Sequence, residues 1–334
     1  MLKNNYLIVI LKLEDDIMKK VELHLHLDGS IRVKTASELA GISYECAKSK
    51  MVVDNYQGDL NEYLTKFDFP VSLMQTKENL IRISKELAED LVKDEVIYAE
   101  IRFALEQHVN LGLTYDEIIE SVLTGLGKVK GVKTNLILCM MRNHSEEINK
   151  KVIDTAKKYL QNGVCSVDLA GAEALFPTKS FKGLFMYAKE KGVPFTIHAG
   201  EADGPESIKA ALCFGTKRLG HGVRIVEDDY LLAYAKDNNI ILEVCPTSNL
   251  QTGIFKSIKE HSVRKLYDTG VKVTVNTDNR TVSNTNLNKE YMLLKDELGF
   301  SDNELKQMNK WAIEAAFLSK GEKDELLKKI EINC

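Results

Sequence analysis

Proline is scarce in this chain of 334 residues, with five, and tryptophan occurs once; the 20 glycines follow no period and no low-complexity tract is present. A collagenous or largely disordered chain is excluded on those grounds. The six cysteines, at 46, 139, 165, 213, 245 and 334, include no C-x-x-C pair. They form neither a zinc-ribbon pattern nor a dense disulfide framework, and read as scattered reduced thiols. Positive charge is not in excess either. The 45 basic and 49 acidic residues leave a formal net charge of -4, which argues against a chain built to grip nucleic-acid phosphates. The apolar run Tyr6–Leu11 falls far short of the roughly 20 residues of a membrane helix. Glu14-Asp15-Asp16 follow it, where a signal peptide would place a small-residue cleavage site. The expectation is a cytoplasmic protein, with residues 1–17 an upstream-start extension or an added strand ahead of Met18.

What the chain does have is alternation. β-rich runs recur at 20–27, 95–103, 132–141, 163–169, 193–198, 217–221, 239–245 and 271–277. Helical periodicity fills the gaps, for example at 79–92, 145–160, 226–237 and 257–268. Strands alternating with helices imply parallel strands joined by crossovers. The length prior alone leans toward two domains, and a doubly wound open sheet competes with a closed (β/α)8 barrel. The reactive residues decide between them, because they fall at strand C-terminal ends from 24 to 278, and only a barrel brings all eight ends to one rim. The expected fold is α/β, a single (β/α)8 TIM barrel over 18–334. It carries extra helices after strand 1, in an insertion with Tyr56, Tyr63, Phe67 and Phe69, and at the C-terminus over 302–318 and 321–330. The aromatic insertion reads as ordinary core or as a lid over the pocket.

Four short motifs carry chemistry. In His24-Leu25-His26 both imidazoles project from one strand face while the flanking leucines take the other; two surface histidines on an edge strand are the bland alternative. His198-Ala-Gly-Glu201 ends an apolar run, and its glutamate alone would suit a helix N-terminus equally well. Glycines bracket the histidine of Leu219-Gly-His-Gly222, permitting unusual dihedrals and the close approach of a substrate; an incidental histidine in a glycine turn competes. Asp278, in Asn276-Thr-Asp-Asn279, could cap a helix or bind a ligand. Histidines 24, 26, 198 and 221 all fall at predicted strand ends. Three histidines and a carboxylate would hold a divalent metal and leave a position for water. A further histidine and carboxyl group remain for proton transfer, the composition of a metal-assisted hydrolytic site. No G-x-S-x-G elbow or Walker loop occurs, and His144-Ser-Glu146 lacks the P-C-x-x-C of cytidine-type deaminases.

From about residue 19 to 320 the chain resembles the adenosine deaminase family of the amidohydrolase superfamily, through the ordered blocks VELHLHLDGS, EIRF, VDLAG, TIHAGE, RLGHG, EVCPTSN and VNTDN. The resemblance implies one zinc held by His24, His26, His198 and Asp278, with water as the remaining ligand. His221 would help deprotonate and orient that water, Asp278 sharing the task, and Glu201 would protonate purine N1 as C6 is attacked. The products would be inosine and ammonia, from adenosine and 2'-deoxyadenosine, in purine salvage. Gly171 would offer its N–H to the ring, Asp28 would bind the ribose hydroxyls, and His26 would also border the substrate. The fourth strand has no lysine of the kind that bridges two metals in related hydrolases. Asn279 replaces the family's second aspartate, and its NH2 supplies a donor for purine N7 at any pH. The implied partner is a small uncharged nucleoside, with neither nucleic acid nor membrane. Another 6-aminopurine, such as adenine or aminodeoxyfutalosine, and a catalytically silent relative are the alternative readings.

Overall fold

The structure, a computed structural model, describes residues 18–53 and 58–331; Tyr56 and the expected 1–17 extension lie outside them. Eight parallel strands run in chain order: β1 Lys20–His26, β2 Val96–Phe103, β3 Lys133–Met141, β4 Val164–Ala170, β5 Ile197–Ala199, β6 Arg218–His221, β7 Ile241–Val244 and β8 Lys272–Val275. Two four-stranded sheets, β1 to β4 and β5 to β8, are joined at both seams. Val167 bridges Phe195 between β4 and β5, and Leu25 bridges Asp278 beyond β8. At the second seam Asn276 Oδ1 accepts from the N–H groups of Leu23 and His24 at 2.9 and 3.1 Å. His26 N–H donates to the Asp278 carbonyl at 2.7 Å, and Asp278 N–H to that of His24 at 3.0 Å. The sheet therefore closes into the expected (β/α)8 barrel.

Parallel strands buried on both faces read as near-continuous apolar runs, and the outward residues follow that rule. Leu25 and Leu27 join the main core beneath the helices, while Val21 and Leu23 pack under Ile313 and Leu326 of the last two helices, Asp302–Ala315 and Lys320–Glu331. The inward face does not follow it. Where barrel interiors are usually filled by Val, Ile and Leu, this one holds Glu100, Arg102, Asp168, Arg218 and Glu243, all buried. Each has a partner of opposite charge. Arg102 reaches Asp168 at 2.9 Å and Glu243 at 2.8 Å, and Arg218 reaches Glu243 at 2.7 Å and Glu100 at 2.6 Å. Buried charge is tolerated only when so paired.

The insertion after β1 forms the helices Val33–Ala40, Tyr44–Met51, Leu60–Leu64 and Asp68–Leu73 before the long crossover helix Lys77–Lys93. Its residues Tyr63, Phe67 and Val71 wall one side of the cavity at the barrel's C-terminal rim. Expected and observed elements differ chiefly at two places. The β5 run at 193–198 pairs as a strand only over Ile197–Ala199, since Pro194 has no N–H to donate. The helix expected over 257–268 is a short turn, Ile258–Glu260, and a separate helix, Val263–Asp268, broken at His261. Cys46, Cys139, Cys165, Cys213 and Cys245 are free thiols. No helix among the described residues is long and apolar enough to cross a membrane.

Candidate active site

Position along β1 delivers His24 and His26 side by side, as the period of a strand requires, and His198 arrives from the paired end of β5. Asp278 completes the group from the turn after β8. One donor atom from each of the four residues lies within 4.8 Å of every other. His26 Nε2 is 3.3 Å from His198 Nε2, and Asp278 Oδ1 is 3.4 Å from Nε2 of both His24 and His26. The far nitrogens face carboxylates: His24 Nδ1 is hydrogen-bonded to Glu243 Oε2 at 3.0 Å, and His198 Nδ1 lies 2.8 Å from Asp168 Oδ2, a close ion-pair contact off the hydrogen-bond line. A carboxylate can only accept, so in the neutral imidazole that binds a metal each Nδ1 carries the proton and each Nε2 presents a lone pair. His24 Nε2 is buried without a hydrogen-bond partner. Burial pushes the imidazoles of His26 and His198 down, keeping them neutral. In His24, burial and Arg102 act the same way but are outweighed by Asp278 and Glu243. Burial pushes the Asp278 carboxyl up, but its contact with His24 outweighs that and holds it well below the usual carboxylate range. Lone pairs and a negative charge converging on one buried point fit a divalent cation, with carboxylates behind the histidines fixing their tautomers.

Two backbone features hold this geometry. Asp278 (φ 59°) and His221 (φ 61°) are non-glycine residues in the left-handed region, a strain that persists only when the surroundings over-determine it. For Asp278 the bridge to β1 does so. At β6 the bracketing glycines admit a protein neighbour: a Cβ on Gly220 would stand 2.9 Å from His24 Cε1, and one on Gly222 2.7 Å from Leu242 Cδ2. The close approach expected there for a substrate is therefore made first by the His24 ring. Asp278 caps no helix, and its Oδ2 accepts from Ser248 Oγ at 2.6 Å.

Glu201 and His221 stand beside the group, with His221 Nε2 3.4 Å from Glu201 Oε2. Glu201 lies four residues ahead of the helix Pro205–Cys213, so it is no first-turn residue. Burial, then the charges of Asp278 and Glu173, push its carboxyl well above the usual carboxylate range, favouring its protonated form. Glu173 fixes its backbone, accepting from the N–H groups of Gly200 at 2.7 Å, Glu201 at 3.0 Å and Asp203 at 3.0 Å, and from Ser207 Oγ. Arg142 braces the same loop by donating to the carbonyls of His198 and Phe176 at 2.6 and 2.7 Å.

A cavity of about 780 Å³ opens over these groups, and Asp28, Gly171 and Asn279 line it with His26, Glu201 and His221. None of its described lining residues is a lysine or arginine. Asp28 Oδ2 accepts from Ala104 N–H at 2.9 Å, and Oδ1 lies 3.0 Å from His108 Nε2. One hydrogen of the Asn279 amide goes to Tyr63 Oη at 3.0 Å, which leaves the second for a ligand. Sequence reasoning reached all the residues of the cluster but missed its supports. Arg102, Asp168 and Glu243 carried a signal, charges within otherwise largely apolar strands, alternating in β2 and single in β4 and β7. Glu173, in an aperiodic loop, carried none.

A parallel barrel with a three-histidine, one-aspartate group at its C-terminal rim is a barrel of the amidohydrolase type. The sequence model of the family described as "Adenosine deaminase" matches residues 19–333, and the chain belongs to that family. It is 39% identical over 324 residues to the adenosine deaminase of Enterococcus faecalis, covering 94% of this chain and 96% of that one. Among solved structures, the N6-methyl-AMP deaminase of Arabidopsis thaliana is 28% identical, with TM-score 0.84 and coverage of 96% and 98%. The adenine deaminase of Arthrobacter aurescens is 25% identical, with TM-score 0.86 and coverage of 94% and 98%.

Proposed function

We propose that the protein is a zinc-dependent adenosine deaminase that hydrolyses adenosine to inosine and ammonia, and accepts 2'-deoxyadenosine. The observation that carries this is the spacing of the four donor atoms. All four lie within 4.8 Å of one another, and three of their six separations are 3.3, 3.4 and 3.4 Å, close enough for one ion to draw ligands from all of them. His24, His26, His198 and Asp278 would hold the ion, which supplies Lewis acidity that brings the pKa of water down to about 7. Glu201, its carboxyl pushed up by burial, holds a proton for purine N1, making C6 more electrophilic. His221 stands beside Glu201 to orient the oxygen nucleophile, and Asp278 accepts its proton. Tyr63, Phe67 and Val71 exclude water from the apolar side of the cavity. Gly171, at φ 103° just beyond β4, presents backbone to the base. Asn279 offers its second amide hydrogen to N7, and Asp28 takes the ribose. A lining without lysine or arginine favours an uncharged nucleoside over a nucleotide. Free thiols, two of them exposed, suit a reducing cytoplasm, and residues 18–334 form one catalytic domain in this reading.

The test is ammonia release by the purified zinc-loaded protein from adenosine, 2'-deoxyadenosine, adenine, AMP and aminodeoxyfutalosine. Preference for the first two supports the reading. Preference for adenine, AMP or aminodeoxyfutalosine overturns the substrate, and release from none overturns the activity.

A further inference from the structure

His261 stands outside the cavity, buried at the break between the turn Ile258–Glu260 and the helix Val263–Asp268. Its hydrogen bonds can be assigned in order from one fixed donor. The backbone N–H of Val263 donates to His261 Nδ1 at 3.1 Å. Burial pushes this imidazole down to about 3, so it is neutral and its single proton sits on Nε2. That Nε2 lies 3.2 Å from Asn249 Oδ1, which accepts. The amide is thereby oriented, and Asn249 Nδ2 lies 3.0 Å from His221 Nδ1. An NH2 group donates, so His221 Nδ1 must be the acceptor.

We propose that His261, acting through Asn249, is a positioning residue that sets the tautomer of His221, placing its proton on Nε2 and aiming it into the catalytic pocket. Without this chain a neutral imidazole could carry its proton on either nitrogen. With it, His221 faces Glu201 Oε2, 3.4 Å away, as a hydrogen-bond donor; it can orient a nucleophile but has no lone pair left to deprotonate it, so the task that the resemblance shared between His221 and Asp278 falls to Asp278. The break in the helix at His261 follows from the same arrangement, because a continuous helix would engage the Val263 N–H with a backbone carbonyl. The assignment of a task to that proton rests on the proposed deaminase reading; the tautomer itself does not.

The experiment is a long-range ¹H–¹⁵N correlation on zinc-loaded, substrate-free protein labelled at histidine, which separates the two neutral tautomers. His221 is assigned by the signal lost in His221→Asn. The wild-type protein is expected to show the Nε2–H form, and an Nδ1–H form would overturn the proposal. Asn249→Asp places an acceptor where the donor stood. It should invert the tautomer and lower kcat by about 10²–10⁴, the scale of a wrongly protonated catalytic imidazole, with KM little changed. An unchanged tautomer in that variant would also overturn the proposal. Should Asn249→Asp not fold, the pair His261→Gln and His261→Phe decides. Gln retains a donor to Asn249 and should keep the Nε2–H form and much of kcat, whereas Phe should leave both tautomers populated. Equal spectra for the two variants would refute the relay. Failure of the deaminase reading appears separately, as no ammonia release from any purine while the wild-type tautomer is as expected.

Discussion

Replacing Glu173 by Gln tests how Glu201 is held. The carboxylate receives three backbone N–H groups and one hydroxyl, and every partner but the hydroxyl is an obligate donor. An amide of the same shape keeps one accepting oxygen and turns an NH2 toward donors on the other side. The amide settles with its oxygen toward Glu201 and Asp203 and its NH2 toward Ser207, whose hydroxyl can turn and accept, so one charge-assisted bond, from Gly200 N–H, is lost, worth about 1.5–3 kcal/mol. The loop 200–203 must shift to relieve that opposed donor, and a displacement of about 1 Å at a catalytic group costs on the order of 10²-fold in rate. A second effect is electrostatic. The charge of Glu173 helps to raise the Glu201 carboxyl, and in the proposed reaction Glu201 acts while protonated, so activity should fall as pH rises through its pKa. Removing the charge lowers that pKa and moves the falling limb to lower pH. Chemical denaturation and a kcat–pH profile read both effects. Wild-type stability, undiminished kcat and an unmoved alkaline limb would refute the reasoning.

Glu201→Gln replaces a carboxyl that burial pushes toward its neutral form, so bound metal and melting temperature should hold while kcat falls by about 10²–10⁴, measured by metal analysis alongside turnover; loss of metal would contradict the assigned role. Gly220→Ala drives a methyl to 2.9 Å from His24 Cε1, and zinc affinity should weaken about 10–100-fold, as for disturbed supports of ligands, in a competition titration with a chromophoric chelator. His261 has a folded pKa of about 3 against 6.5 unfolded, so its contribution is full above 6.5 and declines as pH falls, because the unfolded chain binds the proton first. Between pH 7 and 5 that slope amounts to about 2 kcal/mol. His261→Gln should flatten the pH dependence of unfolding by that amount in urea titrations at the two pH values.

The barrel was legible because parallel strands and crossover helices impose separate periods on the sequence, and because residues at strand ends must share a rim once the sheet closes. The pairing of His24 with His26 follows from strand period alone. What the residues did not disclose depends on tertiary neighbours. Asp278 reads equally as a cap or a ligand until the bridge to Leu25 is seen. The glycines of Leu219-Gly-His-Gly222 admit the His24 ring and the Leu242 side chain, contacts across strands that local spacing cannot express. The paired charges inside the barrel are visible as alternation in EIRF, but their partners lie on strands β4, β6 and β7. Glu173 and Asn249 take their importance from loops and turns brought together by the closed sheet, and their immediate sequence gives no period to read.

The central claim is that four convergent donor atoms hold one zinc ion on which deamination depends. Metal-free protein, prepared with a chelator and titrated with zinc in the presence of adenosine, tests it directly. Ammonia release is expected to rise linearly and stop rising at one equivalent of zinc per chain. Full activity in the metal-free protein, or a break at two equivalents, would contradict the account.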